Sequence, residues 1–259
     1  MPHRLASFIA VTFIAALATL SAWPAGAADL KVISAGAVRG LIAQIIDDYS
    51  RQTGQKFDFT IGTTGQLRTV ITSGQHADLI IVSLPLMEEL EKTGKLTPGS
   101  RAELGRVGIG VAVRDGARVP EVATPDALKQ ALVAAKSVAF TNPAEGGTSG
   151  IYFAGLTERL GIADSIKQKA VMTRGGREAA IEVAEGRAEM AVVYVSEAIA
   201  VKGVKVAGLL PPSLQDYSAY AAAIPASSTD AAAARAFVAA LTSAAMAERW
   251  RQNGFDPPK

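Results

Sequence analysis

The chain has 259 residues, with 26 Lys and Arg against 24 Asp and Glu, a formal net charge of +2, and no cysteine. The missing cysteines exclude disulfides, thiolate metal ligands and thiol nucleophiles, and the charge balance gives no general attraction to nucleic acid or an anionic membrane. With only two histidines, a multi-ligand transition-metal site is not expected.

Met1–Arg4 carries one positive side chain, Arg4, and Leu5–Leu20 is almost purely apolar. Pro24 breaks the run, and Ala25-Gly26-Ala27-Ala28 supplies small residues of the kind a signal peptidase requires. Residues 1–27 therefore read as a secretory signal, which implies an exported, periplasmic mature chain. His3 falls inside that segment, leaving His76, which lies in a polar turn and reads as a surface residue.

The mature chain opens on a strand at Leu30–Ala35, with a helix over Val38–Gln52 that Gly54 ends. Lys56–Ile61 is a second strand, followed by the turn Gly62-Thr63-Thr64-Gly65 and a helix over Gln66–Ser73. Ala77–Ser83 reads as a buried strand and Leu86–Thr93 as a helix. Leu96–Gly105 reads as a linker, leading to an apolar strand at Val107–Val113. The alternation then restarts, with helices at Asp126–Ala134, Ser149–Leu160, Glu178–Glu185 and Ser196–Ala200. Strands are predicted at Ser137–Thr141, Ala170–Thr173, Glu189–Tyr194, Val204–Val206 and Tyr217–Ile224. A last helix spans Ala231–Gln252, with Ser227-Ser228-Thr229 as candidate caps. Strand–helix alternation of this kind predicts two α/β blocks with mainly parallel sheets. Val107–Val113 and Tyr217–Ile224 are the candidate crossings between them, and the terminal helix should return to the first block. The expected division is 29–108 with 222–259 as one lobe and 109–221 as the other.

Four places share one pattern: a strand ends, small or hydroxyl residues follow, and a helix begins. They are Ala35-Gly36-Ala37, Gly62-Thr63-Thr64-Gly65, Gly146-Gly147-Thr148-Ser149-Gly150 and Gly175-Gly176-Arg177. Helix N-termini offer unpaired N–H groups and partial positive charge. Glycine admits the ligand close to the backbone, and hydroxyls add short donors. Each turn alone is an ordinary cap; four of them, two per block, point to anion capture at the carboxyl ends of the strands. No G-x-x-x-x-G-K-[ST] loop and no helix-opening G-x-G-x-x-G is present, which disfavours nucleotide binding. Asp47-Asp48 and Glu88-Glu89 are sequence neighbours on helices and face different directions, so neither pair forms an acid–base dyad.

At these loops the chain resembles the periplasmic molybdate-binding proteins of ABC transporters. The segments that carry the resemblance are Ser34-Ala35-Gly36-Ala37, Gly62-Thr63-Thr64-Gly65-Gln66-Leu67, His76-Ala77-Asp78-Leu79-Ile80-Ile81, Gly150-Ile151-Tyr152, Val192-Val193-Tyr194, Gly203-Val204-Lys205-Val206 and Gly254-Phe255. The resemblance implies a two-lobed type II periplasmic-binding fold, each lobe a mainly parallel sheet flanked by helices, joined by two hinge crossings. It implies a non-catalytic receptor without a cofactor or coordinated metal, binding molybdate or tungstate for an inner-membrane permease; a monomer is expected. Carried over by position, the ligand donors fall at Ala37, Thr63, Thr64, Ser149, Gly176 and Tyr194, with Arg177 beside them.

The chain also departs from that pattern. Ala37 stands where the family has a serine and Thr148 where it has a proline, while Arg68, Arg174 and Arg177 lie near the loops. Arginine forks match carboxylates as well as inorganic oxyanions. Binding of an organic polycarboxylate through these arginines is therefore a rival expectation, and a periplasmic enzyme or a ligand sensor on the same fold remains a further alternative.

Overall fold

In the computed structural model, residues 29–258 are described; the expected secretory segment lies outside them. The strands are β1 (Leu30–Ala35), β2 (Phe57–Gly62), β3 (Leu79–Ser83), β4 (Ala102–Arg114), β5 (Val138–Thr141), β6 (Ala170–Thr173), β7 (Met190–Tyr194), β8 (Val204–Leu209), β9 (Tyr217–Ala223) and β10 (Phe255–Asp256). The helices are α1 (Arg39–Thr53), α2 (Thr64–Thr72), α3 (Leu84–Lys92), α4 (Pro125–Ala134), α5 (Thr148–Arg159), α6 (Ala163–Lys167), α7 (Gly176–Ala184), α8 (Val195–Ile199), α9 (Ala231–Leu241) and α10 (Ala247–Gln252).

Two mainly parallel halves make up the sheet. β1 pairs in parallel with β2 and β3, and β5 pairs in parallel with β6 and β7. The strand order is β2-β1-β3-β9-β4-β7-β5-β6, with β8 and β10 also bonded to β4. β4 is the long member. Its first part, from Ala102 to Gly108, runs antiparallel to β9, and its second, from Ile109 to Arg114, runs antiparallel to β7 and β8. One strand thus passes from one half to the other, and every residue from Val107 to Val113 on it is buried.

The apolar runs explain the layers. All five residues of β3 and all five of β7 are buried, as strands covered by helices on both faces require. Phe237 of α9 is fully buried, 5.1 Å from the ring of Tyr49 on α1 and 4.7 Å from that of Phe57 on β2. The terminal helix therefore returns to the first half, as its sequence position suggested. Removing such a ring costs roughly 3–5 kcal/mol.

Three sequence expectations are corrected. Part of the expected linker, Ala102–Gly105, is strand, because it bonds to β9. Its register shifts at Gly105, whose φ of 146° and close approach to the Asp256 carbonyl make a bulge that seats β10. The helix expected over Ala231–Gln252 is two helices, broken at Thr242 and Ser243. Their hydroxyls bond back to the carbonyls of Val238 and Ala240, and the Trp250 indole donates to the Leu241 carbonyl at 3.0 Å, folding Trp250 into the core. The short helix α6 was not anticipated.

Strand register places the site. Ala35 of β1 sits opposite Gly62 of β2, and Thr141 of β5 opposite Thr173 of β6. The loops that follow each pair therefore leave the sheet side by side, at its carboxyl edge.

Candidate functional site

These loops enclose a cavity of about 320 Å³ between the two halves. Ala37, Thr63, Thr64, Ser149, Gly176, Arg177 and Tyr194, all singled out from the sequence, line it together. Arg174 lines it as well. Arg68 does not: it is exposed and pairs with Glu89 at 3.0 Å. Gln66 and Thr148, which belong to the loops read from the sequence, also border the space; sequence reasoning missed Arg39, Thr141, Glu178, Glu197 and Tyr220, which do so too.

On the first half, the turn at Gly36–Val38 has no side-chain cap, so its amides are not consumed by a neighbouring hydroxyl. Thr63 is the N-cap of α2 in a full capping box. Its hydroxyl accepts from the Gln66 amide at 3.2 Å, and Gln66 Oε1 accepts from the Thr63 amide at 3.0 Å. The same hydroxyl donates to the Glu145 carbonyl. Thr63 is thus committed to holding α2 and meeting the facing loop. Thr64 is freer: its hydroxyl lies 3.2 Å from that of Thr148 and 3.4 Å from that of Ser83, forming a three-hydroxyl cluster across the cleft.

On the second half, Gly147 is the N-cap of α5 and Gly175 that of α7, and neither has a side chain to occupy the first helical amides. Close packing dictates the glycines here. A Cβ at Gly150 would sit 2.0 Å from the Thr141 carbonyl oxygen, and one at Gly147 2.5 Å from Thr141 Cγ2. The start of α5 therefore lies directly on β5, which aims its N-terminus into the cavity. Across the cleft the Gly65 amide donates to the Gly146 carbonyl at 3.1 Å, and Gln66 Nε2 to Glu145 Oε2 at 2.8 Å. The two halves touch along this rim, so the cavity is closed on that side.

Tyr194 ends β7, buried, with its hydroxyl 2.5 Å from Ser218 Oγ and its ring edge-on to Tyr220 at 6.5 Å. Burial holds the phenols of Tyr194 and Tyr220 far above their ordinary range, so both stay protonated. They are hydrogen-bonding groups and hold no negative charge.

Charge in the cavity is lopsided. Arg39, Arg174 and Arg177 border it, and among the described residues no carboxylate lies within ion-pairing distance of any of them. Two carboxyl groups, Glu178 and Glu197, share the lining. Glu197 lies in the first turn of α8 and is 8 % exposed. Burial pushes its pKa up to about 7; the Tyr194 and Gly176 amides pull it partly back, and nearby Glu178 adds to the rise. Its Oε2 has no hydrogen-bond partner among the described residues. Gly176 must be glycine for this carboxyl to fit, since a Cβ there would lie 1.9 Å from Oε2.

His76 lies away from the cavity, 3.4 Å from Asp78 Oδ1 and 3.3 Å from the Thr229 hydroxyl. Among the described residues no group of three or more His, Cys, Asp or Glu is placed to hold a metal ion, and no helix is long and apolar enough to cross a membrane.

Comparison with known proteins accords with this architecture. A curated relative, aconitate isomerase from Pseudomonas sp., is 32% identical over 234 residues, covering 88% of this chain and 87% of the relative. The periplasmic molybdate-binding protein of Azotobacter vinelandii superposes with a TM-score of 0.73 at 20% identity, over 89% of this chain and 100% of that one. The PBP AgtB of A. tumefaciens R10, in complex with agropinic acid, gives 0.65 at 17% identity, over 88% and 83%. At those identities the two structures speak for the fold. The family model described as bacterial extracellular solute-binding protein matches residues 30–256, and the chain belongs to that family.

Proposed function

We propose that the chain is a periplasmic receptor whose interlobe cleft captures a small organic polycarboxylate. The observation that carries this reading is the convergence of Arg39, Arg174 and Arg177, without acidic partners, on one cavity. A guanidinium left unpaired at a cavity wall is satisfied by a carboxylate in bidentate geometry. Three of them can take the separate carboxylates of one di- or tricarboxylic acid. The cavity volume of about 320 Å³ suits an organic ligand. The amides at the start of α5 and the hydroxyls of Thr64 and Thr148 supply further donors. The relative named aconitate isomerase and the agropinic acid complex support an acid of this kind.

The molybdate or tungstate reading rests on the uncapped helix starts at Gly147 and Gly175, which would serve any tetrahedral oxyanion. Two features weigh against it: Thr63 spends its hydroxyl as a cap, and the Glu197 carboxyl sits against Gly176, where such an anion would seek an amide. In the receptor reading, the closed form would dock on an inner-membrane permease, with lobe motion at the crossings near β4 and β9.

Calorimetric titration with cis-aconitate, trans-aconitate, citrate, molybdate, tungstate and sulfate decides between the two. Polycarboxylate binding with no response to the inorganic anions is expected, and a ligand at 100 times its Kd would add about 2.7 kcal/mol of stability. Binding of molybdate or tungstate alone would reject the polycarboxylate reading.

A further inference from the structure

Glu197 is the group in the cavity that the binding role leaves unexplained. Receptors for anions gain nothing from a carboxyl in the wall, and a buried carboxyl without an ion-pair partner is costly to keep. Its Oε2 has no hydrogen-bond partner among the described residues, and no Lys or Arg lies within ion-pairing distance. It is held in the first turn of α8, directly after β7, with its carboxyl between two glycines of facing loops. A Cβ at Gly36 would lie 3.8 Å from Oε1, and one at Gly176 1.9 Å from Oε2. The absence of side chains at these two positions leaves room for the carboxyl, and Glu197 is among the residues that border the cavity.

The surrounding groups define what it can do. From α7 Glu178 acts on its charge, and Tyr194 at the end of β7 and Tyr220 on β9 feel it in turn; Arg39 and Arg177 border the same cavity. Both phenols are held in the protonated form. Near neutral pH, Glu197 is therefore the buried group of the cavity placed to give and take a proton, since its pKa of about 7 matches the task of a general acid–base group.

We propose that Glu197 is a catalytic acid–base residue that moves a proton between two carbons of a bound unsaturated polycarboxylate, making the cleft an isomerase site. This rests on the polycarboxylate reading above. The substrate class is an acid with a methylene group between a carboxylate and a C=C bond that is itself conjugated to a carboxylate. The Glu197 carboxylate removes a methylene proton, breaking that C–H bond. The electron pair delocalises through the C=C bond into the conjugated carboxylate, where the facing arginines offset the added negative charge. Glu197 returns the proton to the former vinylic carbon, forming a new C–H bond and leaving the double bond in the neighbouring position. In a branched acid such as aconitate the two arms exchange roles, so cis and trans forms interconvert without rotation about a full double bond. One carboxyl group suffices, and no oxidant, reductant or cofactor enters. The 32% identical relative named aconitate isomerase supports an activity of this kind.

The test uses the mature chain in D2O with trans-aconitate or cis-aconitate, followed by proton NMR, beside calorimetric binding of the same acids. The expected result is appearance of the other isomer, with deuterium entering the methylene and vinylic carbons only as far as the Glu197 proton exchanges with solvent before it is returned. Glu197→Gln should slow isomerisation by about 100-fold or more, with affinity within about threefold of the parent; Glu197→Asp should retain partial isomerisation, with a shifted pH profile. Thermal unfolding of each variant reports whether it is folded. Binding by the parent chain without isomerisation, or isomerisation by folded Glu197→Gln at the parental rate, overturns the acid–base role while leaving the binding reading intact. Failure of both acids to bind the parent chain overturns the isomerase role, and failure of citrate as well overturns the polycarboxylate reading with it.

Discussion

Gly65 and Gly146 meet backbone to backbone across the cleft. The amide of Gly65 donates to the carbonyl of Gly146 at 3.1 Å, and a Cβ on either residue would come within 2.8 Å of the other's Cα. The contact links the start of α2 to the loop before α5, and a methyl group would wedge the rim apart. Gly146 also has φ of 68°, so substitution there adds backbone strain. Gly65 lies in α2 and has no such demand. Gly65→Ala is therefore the cleaner probe. We expect unchanged helical content and a fall in ligand affinity of about tenfold, or about 1.4 kcal/mol, measured by calorimetry. Small-angle scattering with saturating ligand should show a more open form than the parent chain; unaltered affinity would remove this contact from closure.

The arginines make a separable prediction. Replacing Arg174 or Arg177 by Ala removes charge-assisted bonds worth roughly 1.5–3 kcal/mol each, so polycarboxylate affinity should fall about tenfold to a hundredfold for either variant. Both side chains lie on the cavity wall without partners, so unfolding temperature in the absence of ligand should barely move. Arg68→Ala, which breaks an exposed pair with Glu89, is the control and should alter neither quantity.

Two adjacent threonines should behave oppositely. Thr63→Ala loses the α2 capping box and should cost about 1 kcal/mol of stability, seen as a lowered urea midpoint. Thr64→Val keeps the helix but replaces the hydroxyl facing Thr148 and Ser83 with a methyl. It should weaken ligand binding by several-fold with little change in the urea midpoint. The reverse pattern would exchange the roles assigned here.

Glu197 also imposes a pH dependence on folding. Its pKa rises from an ordinary 4.5 to about 7 in the folded chain, so the folded state holds the proton more tightly than the unfolded state does. The resulting stabilisation is fully present below pH 4.5 and is lost as the pH climbs through 7. Over that window the parent chain should lose up to about 3 kcal/mol relative to Glu197→Gln. Urea unfolding of both proteins at pH 5 and pH 8 measures the difference. Equal pH dependence in the two chains would mean that Glu197 titrates normally.

Much of the fold was legible because short-range chemistry set it. Continuous apolar runs marked β3 and β7, helical spacing marked α1 and α3, and Gly54 ended α1 in the left-handed conformation that glycine favours. The site loops were legible for a similar reason: each is a strand end followed by glycine or threonine and a helix start, and that order is local. Where partners were distant, the reading failed. Ala102–Gly105 became strand because β9, more than a hundred residues on, bonds to it. Ala231–Gln252 broke because Trp250 found a place in the core.

The four loops and their anion-seeking amides were thus determined by the sequence itself, since capping and glycine geometry act over a few residues. Which arginines reach the cavity was settled only by tertiary structure: Arg68 and Arg174 stand alike beside their loops, yet one pairs with Glu89 and the other lines the cleft. Glu197 shows this most plainly. In the chain it is an ordinary glutamate opening a short helix. Its burial and raised pKa arise because the fold brings Gly36 and Gly176, from two other loops, against its carboxyl and, among the described residues, sets no cation within ion-pairing distance of it.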